Sequence, residues 1–127
     1  MGSAKAKILL VDDTETILLF LKTILTGYRF EFVTARNGVE AITVARAEKP
    51  DLILLDVIMP VMDGFEACRV IKGDPELKAT PVIVVTTRSG AENLDRVRTA
   101  GADDVIFKPI RKLELLDKIN RWLPRRD

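Results

Sequence analysis

Asp51-Leu52-Ile53-Leu54-Leu55-Asp56 is the stretch that decides the fold. Four consecutive aliphatic residues are too few for an ordinary helix and show no polar alternation. They fit a strand covered on both faces, as in a parallel sheet. An acid follows at once, where burial is costly unless the carboxylate is solvated or paired. Similar aliphatic runs lie outward on either side, at Lys7–Val11 and Val82–Thr86. Two weaker runs complete the set: Val105–Phe107, and Phe30–Ala35, whose Phe30, Phe32 and Thr34 alternate as in an edge strand.

Helical spacing fills the intervals. Ile17, Leu18, Leu21, Ile24 and Leu25 form one apolar stripe, Val39, Ile42 and Ala45 a second, and Phe65, Cys68 and Ile71 a third. The fourth helix, about Ala91 to Ala100, has only Leu94, Val97 and small residues to bury and should be the least firmly anchored. The fifth carries Leu115, Leu116, Ile119, Trp122 and Leu123. Gly27, Gly38, Gly73, Gly90 and Gly101 mark the joins, and Pro50 and Pro81 precede the third and fourth strands. Strict strand–helix alternation in 127 residues predicts an open, doubly wound α/β sandwich. A βα-barrel needs roughly twice that length. The chain reads as a single domain over 1–127, with its core at about 7–123.

Composition narrows the function. Lysine plus arginine number 20 against 19 acids, a balance that gives no reason to expect nucleic acid or an anionic membrane as partner. The absence of histidine excludes histidine-based triads and histidine metal sites. Cys68 is the only cysteine, so no intrachain disulfide forms, and its apolar helical setting predicts a buried, inert side chain. No apolar run is long enough to span a membrane, and the cytoplasm is the expected location.

In a doubly wound sheet, sites form at the carboxyl ends of strands. The first strand ends in Asp12-Asp13, the third in Asp56, the fourth in Thr86-Thr87 and the fifth in Lys108-Pro109. Three carboxylates brought together repel one another, a cost that a hard, oxygen-seeking cation such as Mg²⁺ removes. A lysine and a hydroxyl opposite them would bind further oxygens. The inventory suits phosphoryl transfer, where positioning and charge neutralisation do most of the work. Singly, each residue has a plainer role: Asp12 or Asp13 as a helix cap, Thr87 as a strand former, Lys108 as a solvated charge, Pro109 as a turn. Their joint placement is not explained by capping.

The sequence resembles the receiver domain of two-component response regulators. The resemblance is carried by Ile8–Asp13, Asp51–Gly64, Pro81–Thr87, Ala100–Asp104 and Lys108-Pro109, and it spans about Lys7 to Leu123. It implies a flavodoxin-like five-stranded parallel sheet in the order 2-1-3-4-5. It implies Asp56 as phosphoacceptor, and Asp13, Asp56 and the Ile58 backbone carbonyl as ligands of Mg²⁺ (or Mn²⁺), with Asp12 an outer member of the acidic pocket. Thr86 matches the switch hydroxyl and Lys108 the lysine that pairs with the phosphoryl group, and the Lys108–Pro109 bond is expected to be cis.

The implied partners are a sensor histidine kinase or histidine phosphotransfer protein, and a downstream protein target or fused output domain. The implied output is a shift of the face built by the fourth helix, fifth strand and fifth helix, in a switch rather than a turnover enzyme. One position departs from the pattern: Val105 stands where many receivers carry an aromatic that rotates with the switch. Signalling is therefore expected through loop and fourth-helix movement. Ile58 and Arg88, at the positions that tune hydrolysis, lead us to expect slow loss of the phosphoryl group. Alternative readings are a degenerate receiver used only for protein interaction, and an aspartate-nucleophile phosphatase. The latter needs an Asp-x-Asp that Asp12-Asp13-Thr14 does not supply. A flavodoxin-type cofactor binder would need a phosphate-cradling loop after the first strand, which is absent.

Overall fold

The computed structural model describes residues 5–57, 59, 61–87 and 91–123. Strands and helices alternate: β1 (Ala6–Val11), α1 (Glu15–Ile24), β2 (Phe30–Ala35), α2 (Gly38–Glu48), β3 (Leu52–Asp56), α3 (Gly64–Gly73), β4 (Val82–Thr86), α4 (Ala91–Ala100), β5 (Asp104–Phe107) and α5 (Lys112–Trp122). All neighbouring strands pair in parallel, in the order β2-β1-β3-β4-β5. This is the expected doubly wound, flavodoxin-like sandwich. The connection from β1 leads outward to β2, and the next returns to place β3 on the other side of β1. That reversal opens the crevice at the strand ends where a site can form.

Aliphatic content follows position in the sheet. Every residue of β3 and β4 is buried, because both faces of these inner strands are roofed by helices. β2 lies at the edge and is half-buried along most of its length, as its alternation predicted. The sheet separates two apolar clusters. Leu9, Ile53, Val84, Ala41, Ile71 and Val97 belong to the layer of α2, α3 and α4. Leu10, Leu54, Ile83, Leu21, Ile106 and Ile119 belong to the layer of α1 and α5. Each fully buried leucine or isoleucine contributes roughly 1.5–3 kcal/mol relative to exposure.

Two expectations are overturned. Val39 is exposed, not part of the α2 stripe; Gly38, Ala41, Ile42 and Ala45 make the packed face. At about 100° per residue, position 39 falls to the side of that face, and small residues let the helix approach closely instead. Strand limits also move: β1 starts at Ala6, β3 includes Asp56 and β5 includes Asp104. Main-chain pairing, not side-chain polarity, sets those ends. Gly38 opens α2 and Gly73 closes α3, at the joins they were expected to mark.

Candidate functional site

Sheet register gathers the chemistry. Val11 pairs with Leu55, so Asp12 and Asp56 come next on adjacent strands. Asp56 pairs with Val85, and Thr86 follows. Thr86 pairs with Phe107, and the Lys108 amide donates to the Thr86 carbonyl at 2.7 Å. Asp12, Asp56 and Thr86 are at most 5% exposed, and they are the buried polar side chains among the described residues. Buried polar groups are costly, and their concentration at one edge of the sheet identifies a site.

Carboxylate oxygens of Asp12, Asp13 and Asp56 lie within 4.8 Å of one another. Asp13 is exposed, giving the cluster one wet side. Lys108 Nζ lies 3.4 Å from Asp56 Oδ1, and the Lys108–Pro109 peptide bond is cis. The Thr14 amide donates to Asp12 Oδ1 at 2.9 Å, fixing that carboxylate within the β1–α1 turn. Thr14, not either aspartate, is the N-cap of α1, which removes the capping role considered for Asp12 and Asp13. Thr87 is exposed, beside the buried Thr86. Three acids against one lysine leave excess negative charge on an all-oxygen donor set. That set fits a hard divalent cation such as Mg²⁺.

The loop after Asp56 is held tightly. The Gly64 amide donates to the Val57 carbonyl at 3.0 Å, and a Cβ at Gly64 would fall 2.1 Å from the Asp56 carbonyl oxygen. Only glycine fits there. The Gly38 amide donates to the Met62 carbonyl at 3.2 Å, and a Cβ at Gly38 would meet the Met62 side chain and carbonyl at 2.7 Å. Between these anchors Val61 is exposed with φ of 72°, a costly conformation for a β-branched residue. Sequence reasoning read Gly38 as a join and gave Gly64 no role; a glycine in the first turn of a helix was the available signal. Ile58 and Arg88 lie outside the described residues.

On β5, Ile106 is buried in the α1–α5 layer, and Val105 packs against the opposite cluster. At the far end of β5, Trp122 Nε1 donates to Asp104 Oδ2 at 2.8 Å and Lys118 Nζ to Asp104 Oδ1 at 3.1 Å. Burial works to raise the Asp104 carboxyl, but hydrogen bonds from Trp122, the Val105 amide and Lys118 outweigh it and hold it below the usual carboxylate range. Cys68 is fully buried, and burial pushes its thiol up to about 11, as expected of an inert cysteine.

The family model of the response regulator receiver domain matches residues 8–120. The chain belongs to that family. Among its relatives, the receiver is 39% identical over 120 residues to the protein PilH of Pseudomonas aeruginosa, covering 93% of this chain and 98% of PilH. It is 40% identical over 114 residues to the response regulator PleD of Caulobacter vibrioides, covering 90% of this chain but only 25% of PleD. It also resembles the crystal structure of the receiver domain of a Pseudomonas aeruginosa sensor histidine kinase, with a TM-score of 0.86 and 28% identity. That match covers 94% of this chain and 98% of the other, whose structure has a magnesium ion coordinated in its active-site cleft. Receivers are phosphoacceptors in two-component systems rather than turnover enzymes, working with histidine kinases or phosphotransfer proteins and with output domains. No helix among the described residues is long and apolar enough to cross a membrane.

Proposed function

We propose that this receiver is a phosphorylation-controlled switch whose acceptor is Asp56. The observation that carries the reading is the convergence of the Asp12 and Asp13 carboxylates on Asp56, with Lys108 Nζ 3.4 Å from it. Asp13, Asp56 and the Ile58 carbonyl would hold Mg²⁺ (or Mn²⁺), with Asp12 alongside; when bound, the metal supplies charge neutralisation at the phosphoryl oxygens. An Asp56 oxygen attacks the phosphorus of a phosphohistidine on a sensor kinase or phosphotransfer protein. The new O–P bond forms as the P–N bond breaks, and the electron pair leaves with the imidazole. The Lys108 ammonium faces the negative charge on the transferred group, and the Thr86 hydroxyl turns toward it. Water later hydrolyses the acyl phosphate, slowly if Ile58 and Arg88 screen it.

The response then reaches the α4–β5–α5 face, through loop and α4 movement because Val105 offers no aromatic. We assign 1–127 to a single receiver domain in the cytoplasm, acting on a protein target or a fused output domain, with no direct nucleic-acid or membrane contact. The test is incubation with Mg²⁺ and a small phosphodonor, followed by intact mass. Wild type gains one phosphoryl group and Asp56→Asn gains none. A wild-type chain that stays unmodified would favour the degenerate, interaction-only reading.

A further inference from the structure

Arg96, in the middle of α4, makes two contacts with the start of α3. Its guanidinium carbon lies 4.2 Å from the centroid of the Phe65 ring, and its Nη2 lies 3.7 Å from Asp63 Oδ2. Phe65 and Asp63 flank Gly64, the residue wedged against the Asp56 carbonyl oxygen. Asp63 is also the N-cap of α3, accepting from the Glu66 amide at 2.9 Å. Phe65 is buried in the same cluster as Val57 and Met59, which follow Asp56 in the chain. One side chain of α4 therefore grips both neighbours of the glycine that touches the acceptor's backbone.

Among the described side chains, little else fastens α4. Val97 and Ala100 are its buried residues among those described, and Leu94 is only half-buried. An arginine lying over a core ring commonly serves just to cover apolar surface. Here the same guanidinium also reaches the capping carboxylate, so a displacement of the α3 start changes both contacts together. A planar guanidinium stacks on a ring in a way that an ammonium does not.

We propose that Arg96 is a positioning residue, a clamp that couples α4 to the loop following Asp56. It gives a phosphoryl group on Asp56 a route to α4 that bypasses β5, where Val105 stands in place of an aromatic. The proposal rests on the reading of Asp56 as the acceptor. In the resting chain the clamp holds α4 in place; when the Asp56 loop shifts, Gly64 passes the shift to Asp63 and Phe65, and Arg96 passes it to α4.

The test is amide hydrogen exchange on the full chain, with and without Mg²⁺ plus beryllofluoride as phosphoryl mimic. Arg96→Ala should speed exchange of resting α4 by about three- to five-fold, the loss of one partly exposed cation–π contact. Arg96→Lys should fall between wild type and Arg96→Ala, because the charge remains although the planar stack is lost. Phe65→Leu should loosen α4 similarly, and adding it to Arg96→Ala should have little further effect. The change that beryllofluoride produces in α4 should fall by about half or more in Arg96→Ala, while phosphoryl uptake by mass stays at the wild-type level. A response of wild-type size in Arg96→Ala, or unchanged resting exchange, overturns the clamp. A wild-type chain silent to beryllofluoride overturns the reading of Asp56 itself.

Discussion

Two glycines at opposite ends of α3 should answer the same substitution in opposite ways. A Cβ at Gly64 would lie 2.1 Å from the Asp56 carbonyl oxygen, 2.6 Å from Val57 Cα and 2.8 Å from the Asp56 carbonyl carbon. All three are backbone atoms, so no side-chain rotation can relieve the overlap, and the strand end must move by about 1 Å to reach ordinary contact. Gly64→Ala should therefore cost about 2–4 kcal/mol, the upper range of overpacking. In thermal unfolding that is a fall in Tm of roughly 8–16 °C for a chain of this length. Gly73 has nothing within 4 Å of its Cβ position and no positive φ. Gly73→Ala should be neutral or stabilising by up to about 1 kcal/mol through helix propensity. Displacing the acceptor backbone by about 1 Å should also slow phosphoryl uptake on the order of 100-fold, at a temperature where Gly64→Ala is still folded. Equal melting temperatures for the two variants, or wild-type uptake by Gly64→Ala, would refute the close approach between α3 and β3.

Other expectations concern charge and burial. Asp56→Asn should stabilise the metal-free chain by reducing carboxylate repulsion, and Mg²⁺ at about 100 times its Kd should add about 2.7 kcal/mol to wild type but much less to the variant, as read by urea unfolding. Asp104 is held below its ordinary range, so the unfolded chain binds its proton first as pH falls; the contribution is complete above the unfolded aspartate value near 3.9 and is lost as pH drops through the folded value. Urea midpoints followed by Trp122 fluorescence between about pH 6 and pH 3 should fall less steeply in Asp104→Asn, and identical slopes would show that the carboxylate is not held by its partners. Cys68, with its thiol at about 11 and no exposure, should resist alkylation at neutral pH until the chain unfolds; prompt labelling of native protein would contradict its burial.

The sheet was legible because its inner strands must be apolar on both faces: Leu52–Leu55 and Val82–Val85 have no other simple home. The site was legible for a related reason, since an acid directly after such a run marks the point where a strand leaves the core. Strand order was not written in periodicity and came from resemblance. Val39 misled because α2 packs through Gly38, Ala41 and Ala45, and small residues carry little hydrophobic signal. Arg96 and Asp104 were missed because each acts through partners distant in sequence, Phe65 in one case and Trp122 in the other. A charged residue on a helix face looks solvated until the fold supplies what it lies against.

The division of the core by the sheet has an evolutionary consequence. Ile71 and Ile119 occupy separate clusters, one packed with α2, α3 and α4 and the other with α1 and α5. A volume change in one compartment can thus be compensated by its own neighbours, without a matching substitution across the sheet. The helices roofing the two faces are free to drift at different rates under different partners. Residues at the strand ends, where Asp12, Asp13, Asp56 and Lys108 converge, have no such freedom.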